Sequence, residues 1–305
     1  MNFDLDVIRK YPEWRQYDRV VREFLMYLEN TEKMKFRLSA EYYGENGIED
    51  YTVEIPYMHR WKTEYKNGVL WKFYRLEDYL KENPIDVVTM VTFTTSHGYN
   101  KFHRKGKTSN RTIQESFAEL KEGWRKIRDN FRGFQYVWIM EPHENGYPHI
   151  HVAVFGKIPE KDQYRIMSLW AKWGIGSYDH GVQFEAKEKK DSVKSVRNYL
   201  LKYMRKTIYK TESKYGENEK WTTGELVFNA LAYKHRWRFW GATKELSSVM
   251  RFTKKTDEQN YLYVATEMKN AKGEYNELWA KKGHMAHLAL NPAITVDDEG
   301  NVQKV

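Results

Sequence analysis

The chain contains no cysteine, which excludes a disulfide framework, a thiolate zinc site and a cysteine nucleophile. Any metal must therefore sit on histidines and carboxylates. No stretch approaches the uninterrupted apolar length of a membrane span. The opening MNFDLDVIRKYPEW carries charges throughout and lacks the apolar core of a signal peptide, so an intracellular, cytoplasmic protein without membrane attachment is expected. A phosphate-binding loop of the G-x-x-x-x-G-K-[ST] kind is missing, as are internal repeats and low-complexity tracts.

What is present is a folded composition. With 305 residues and 41% hydrophobic content, the chain can bury one substantial core or two modest ones. A formal net charge of +9 and an aromatic content of 16% suit a surface that attracts phosphate and stacks bases.

Residues 1–82 read as an N-terminal extension or small subdomain. It combines helical stretches such as YDRVVREFLMYLE with a hairpin, TEYKNGVLWKFYRL, whose Asn67-Gly68 pair suits a tight turn. Residues 83–213 form the expected central domain. The β-branched run IDVVTMVTFTT predicts a buried strand from Val87 to about Thr94. Ile113, Phe117, Leu120, Trp124 and Ile127 follow at helix spacing.

FQYVWIME and HIHVAVFG read as a hairpin around Glu144-Asn145-Gly146. EKDQYRIMSLWAKW predicts a helix, GVQFEA a short strand, and DSVKSVRNYLLKYMRKTI a final helix. The order β-α-β-β-α-β-α predicts an α+β fold, a ferredoxin-like (RRM-like) antiparallel sheet with helices on one face. Residues 214–305 read as a C-terminal extension with a helix near TTGELVFNALAYKHRW, a hairpin within NYLYVATEMKNAKGEYNELWAKKG and a turn-rich tail.

Two constellations carry chemistry. In the strand HIHVAVF alternate side chains share a face, so His149 and His151 project together while Ile150, Val152 and Val154 project the other way. Glu141 ends the preceding strand, and the hairpin returns it beside the pair; His143 and Glu144 stand close by as substitutes. Two imidazoles and a carboxylate leave coordination sites open and accept Mg²⁺ or Mn²⁺. The plain alternative is a pair of semi-buried histidines with hydrogen-bond partners. The second constellation is NYLLKYMRK, where Tyr199 and Tyr203 lie one helical turn apart, flanked by Lys202 and Lys206. A phenol with an ordinary pKa of about 10 is a poor nucleophile unless a polarised phosphate and nearby ammonium groups assist it.

PHIHV resembles the His-hydrophobic-His motif of the HUH endonucleases, YLLKYMRK is similar to their two-tyrosine motif, and VVTMVTFTTS looks like their first motif. All three occur in family order over about residues 85–210. The two-tyrosine form is that of the gene A-type rolling-circle replication initiators of single-stranded DNA phages and of related plasmid and archaeal proteins. The resemblance implies a metal-dependent enzyme that nicks and joins single-stranded DNA at the replication origin of a plasmid or virus in a prokaryotic host. It implies that His149, His151 and Glu141 bind the metal. Tyr199 and Tyr203 would form a 5′-phosphotyrosyl link, with Lys202 and Lys206 each at the lysine offset of one tyrosine. A helicase would come from another protein. Relaxases and single-stranded DNA transposases share the chemistry, and a non-catalytic nucleic-acid-binding module on the same frame is the rival from another class.

Two basic segments are candidate DNA contacts. HGYNKFHRKGKTSNR concentrates Arg104, Lys105, Lys107 and Arg111, and YKHRWRFWG interleaves Arg236 and Arg238 with Trp237, Phe239 and Trp240. Either can equally be a solvated surface, and in the second segment the rings can belong to the core.

Overall fold

A computed structural model describes residues 8, 12–32, 34–44, 47–57, 59–61, 63–96, 111–188, 221–250, 261–269, 275–282, 294–296 and 302–304. After a helical turn at Pro12–Arg15, the elements run α1 (Asp18–Glu32), β1 (Lys35–Gly44), β2 (Gly47–Pro56), α2 (Thr63–Glu82), β3 (Val87–Thr94), α3 (Ile113–Ile127), β4 (Gln135–Pro142) and β5 (Pro148–Phe155). They continue with α4 (Glu160–Lys172), β6 (Val182–Glu188), α5 (Thr223–Lys234), β7 (Trp240–Ala242), α6 (Lys244–Val249), β8 (Tyr261–Lys269), β9 (Tyr275–Lys282), β10 (Ile294–Val296) and β11 (Val302–Lys304). Among the described residues no helix is long and apolar enough to cross a membrane.

Contacts divide the chain into two units, Met1–Arg22 with Leu70–Arg251 and Glu23–Val69 with Phe252–Val305. The first holds a five-stranded sheet of order β6-β3-β5-β4-β7, antiparallel at every pairing. Its first four members are the fourth, first, third and second strands of a β-α-β-β-α-β run, the ferredoxin-like arrangement expected from the sequence. The added β7 pairs with β4.

Phe93 of β3 shows which face the helices cover. Its ring lies 5.6 Å from Trp124 of α3 and 4.9 Å from Trp170 of α4. Gly123 permits this close packing, because a Cβ there would run into Ile175 and Trp170. Helix α3 starts with a capping box in which Thr112 and Glu115 satisfy each other's backbone N–H groups. Its apolar stripe Ile113, Phe117, Leu120, Trp124 and Ile127 is buried throughout. The other sheet face is also covered. Met90, Val137, Ile139 and Ala153 are buried there, and Phe73 of α2 lies 6.0 Å from Trp240 of β7, the strand neighbour of Ile139.

Helix α2 replaces the hairpin expected around Asn67-Gly68. Val69, Phe73, Leu76 and Leu80 are all buried, spaced four, three and four residues apart. That is the period of one helix stripe, and burying it outweighs the local turn preference of Asn-Gly.

In the second unit β1 and β2 form an antiparallel hairpin from Lys35↔Pro56 to Gly44↔Gly47, and Gly47 sits at φ +115°. Strand β1 also pairs with β8, which pairs with β9, giving the order β2-β1-β8-β9. The expected β8–β9 hairpin is therefore present, joined to a β1–β2 hairpin that the sequence reading did not identify. The contact units also cut across the expected boundaries at 82 and 213, since β1 and β8 share one sheet while α2 from Leu70, α5 and β7 belong with the ferredoxin-like sheet.

Candidate metal centre

The hairpin register brings the first constellation together. Glu141 stands directly opposite His149 across β4 and β5, and Ile139 opposite His151. On the other side of β5, Thr94 faces His149 and Thr92 faces His151. Alternation then puts Glu141, His149, His151 and Thr92 on one sheet face. Strand β5 is buried along its whole length, with Ile150, Val152 and Val154 packed on the opposite side.

His149 Nε2 lies 2.7 Å and His151 Nε2 3.2 Å from the same oxygen, Glu141 Oε1. Donor atoms of the three residues all fall within 4.8 Å of one another. Glu141 is 2% exposed and each imidazole 5%. Burial alone pushes the Glu141 carboxyl upward, but hydrogen bonds from both imidazoles and their positive charge outweigh it and hold the carboxyl down at about 2. An octahedral ion with bonds near 2.1 Å places neighbouring ligand atoms about 3 Å apart. The two carboxylate–imidazole separations match that edge, so a cation fits by exchanging two hydrogen bonds for coordinate bonds. The plain alternative of buried, hydrogen-bonded histidines describes the same geometry without an ion.

The surroundings hold the hairpin in place. Gly146 adopts φ +83° in the turn, and the Thr222 hydroxyl donates to the Glu144 carbonyl at 2.7 Å. The Tyr147 hydroxyl donates to the Arg111 carbonyl at 2.6 Å. The His143 ring lies 4.0 Å from that of His149, tilted by 35°, yet His143 is outside the three-residue donor cluster.

Tyr199, Lys202, Tyr203 and Lys206 lie outside the described residues, as do Arg104, Lys105 and Lys107. Arg111 is engaged locally: its guanidinium bonds the Ser96 and Gly174 carbonyls and pairs with Glu119 at 2.6 Å. Arg236 and Arg238 are exposed, and Arg238 Nε donates to the Trp240 carbonyl. The rings between them belong to the core, since Trp237 stacks on Phe117 at 3.6 Å and Phe239 packs 5.7 Å from Phe228. The sequence reading did not single out Thr92, whose hydroxyl lies 3.0 Å from His151 Nδ1. Only the β3–β5 register reveals that contact.

Fold and site together define a class: a ferredoxin-like antiparallel sheet whose central strand presents a His-x-His pair to a carboxylate on its hairpin partner. Residues 88–208 match the family of replication-associated proteins of the ORF2 and gene II protein type, which are rolling-circle replication initiators, in agreement with the resemblance read from the motifs. The chain is also 33% identical over 116 residues to an uncharacterized 36 kDa protein of Halobacterium salinarum. That alignment covers 35% of each chain, so this chain spans about a third of the relative's length. No solved structure matches the chain.

Proposed function

We propose that this protein nicks and rejoins single-stranded DNA at a replication origin through a tyrosyl–DNA intermediate, and so initiates rolling-circle replication of a plasmid or virus. The observation that carries the reading is the convergence of Glu141, His149 and His151 within a segment that matches replication initiators.

Glu141, His149 and His151 hold the divalent ion, Mg²⁺ or Mn²⁺. Bound there, the ion would polarise the scissile phosphate and offset the charge that builds up on its oxygens. The hydroxyl of Tyr199 or Tyr203 attacks phosphorus and loses its proton. The bond to the 3′ oxygen breaks, leaving a 3′ hydroxyl and a 5′-phosphotyrosyl link. Lys202 and Lys206 stabilise the phenolate, and the second tyrosine repeats the step in the next round. Arg104, Lys105, Lys107, Arg111, Arg236 and Arg238 contact the strand, and a separate helicase unwinds the duplex in the host cytoplasm.

The test is incubation with origin-containing single strands and Mn²⁺. A covalent protein–DNA adduct that maps to Tyr199 or Tyr203 by peptide mass spectrometry, and is absent from the doubly substituted Tyr199→Phe/Tyr203→Phe protein, is expected. Tight binding without an adduct would instead identify a non-catalytic binding module.

A further inference from the structure

The two imidazoles of the site are held differently. His151 has a partner at each nitrogen: Nε2 faces Glu141 Oε1 at 3.2 Å and Nδ1 faces Thr92 Oγ1 at 3.0 Å. His149 Nδ1 is buried with no hydrogen-bond partner among the described residues. Thr92 owes its place to the β-ladder, directly across from His151 in the β3–β5 register. Its branched side chain has few χ1 choices, so the hydroxyl is presented by stiff backbone and a stiff side chain. Backbone pairings flank Thr92 on both sides, with Gln183 of β6 opposite it on the far edge.

We propose that Thr92 is a positioning residue for the metal centre: its hydroxyl fixes the ring of His151 so that Nε2 points at the cation. This rests on the metal-binding reading above. A hydroxyl both donates and accepts, which is what the site requires. Without metal, Nε2–H donates to Glu141 and Nδ1 accepts the Thr92 hydroxyl proton. With a cation on Nε2, the neutral ring carries its proton on Nδ1 and donates it to Thr92 Oγ1. One ring orientation serves both tautomers, and the ion enters without the imidazole turning. Outer partners of this kind tune metal affinity by about 10- to 100-fold. Valine copies the shape of threonine but can play neither hydrogen-bonding role, whereas serine retains both.

The experiment measures Mn²⁺ affinity of the full chain, by calorimetry and by the paramagnetic resonance signal of free Mn²⁺, for wild type, Thr92→Val, Thr92→Ser and His151→Ala. Thr92→Val is expected to bind Mn²⁺ about 10- to 100-fold more weakly. Thr92→Ser is expected to stay within about threefold of wild type, rescue that a purely space-filling role would not produce. In cleavage assays Thr92→Val should need more Mn²⁺ for half-maximal rate yet approach the wild-type rate at saturation. Wild-type Mn²⁺ affinity in Thr92→Val, with His151→Ala still defective, overturns the positioning role and leaves the metal site standing. Equal Mn²⁺ affinity in wild type and His151→Ala removes the metal reading and the Thr92 proposal together. Should Thr92→Val not fold, the serine variant decides: a loss as large as that of His151→Ala overturns the proposal.

Discussion

A carboxylate at 2% exposure is costly unless positive or donating groups surround it, and Glu141 has two imidazoles on one oxygen. The arrangement is self-consistent without an ion and becomes a three-ligand site with one. Metal should therefore stabilise the folded chain. At an Mn²⁺ concentration of about 100 times its dissociation constant, linkage adds about 2.7 kcal/mol. For a unit of this size that corresponds to a melting-temperature rise of roughly 5–10 °C. His149→Ala, His151→Ala and Glu141→Ala should each lose most of that rise and all cleavage, while keeping most DNA affinity, because the basic surface and not the ion supplies the bulk of binding. Thermal melts with and without Mn²⁺, run beside a gel-shift assay, check this. Acidification should shrink the metal-induced rise, since an imidazole must give up its proton to coordinate. An undiminished rise in His151→Ala would refute the ligand assignment.

At the scale of elements, the hairpin that carries the site is braced by the start of α5. A Cβ on Gly224 would meet the backbone of Glu144, Asn145 and Gly146, which cannot give way as a flexible side chain can. Gly224→Ala should destabilise the protein by about 1–3 kcal/mol, the usual cost of overpacking, and weaken Mn²⁺ binding by disturbing the loop between Glu141 and His149. Gly68→Ala makes the opposite prediction. Nothing lies within 4 Å of its would-be Cβ, and the residue is inside α2, so alanine should add about 0.5–1 kcal/mol; a hairpin turn at that position would instead be disrupted. Chemical denaturation of both variants distinguishes these outcomes. Elements also differ in how plainly the sequence discloses them. Strand β3, the β4–β5 hairpin and the stripe of α3 were legible because each follows a local period, and the Glu141–His149–His151 triad followed from alternation plus one tight turn. Asn67-Gly68 misled because two residues with turn propensity were weighed above the helical stripe that runs from Val69 to Leu80. Strand β1 escaped notice because its partners β2 and β8 come from both ends of the chain, and long-range pairing leaves little local trace. Thr92 escaped for a related reason, since a cross-strand contact exists only once register is fixed.

For the molecule as a whole, the net charge of +9 and the match to replication initiators make electrostatic attraction to DNA the first expectation. The structure sharpens what the segment from Tyr233 to Gly241 can contribute. Trp237 and Phe239 are 6% and 4% exposed, so they are unavailable as stacking platforms for bases, and only Arg236 and Arg238 face solvent. A contact made by arginines alone reads phosphate and carries no base information. Each phosphate neutralised on a single strand contributes about 0.7 to the slope of log affinity against log salt. Replacing both Arg236 and Arg238 by alanine should lower affinity for origin and unrelated single strands by the same factor and make the salt dependence shallower by up to about 1.4. The Mn²⁺-induced melting shift should stay intact, because neither arginine touches the triad. Fluorescence anisotropy with labelled strands over a salt series measures all of this. A loss confined to the origin strand would show base readout by this segment, and an unchanged slope would remove it from the DNA surface and leave the charged residues outside the described chain to supply the contact.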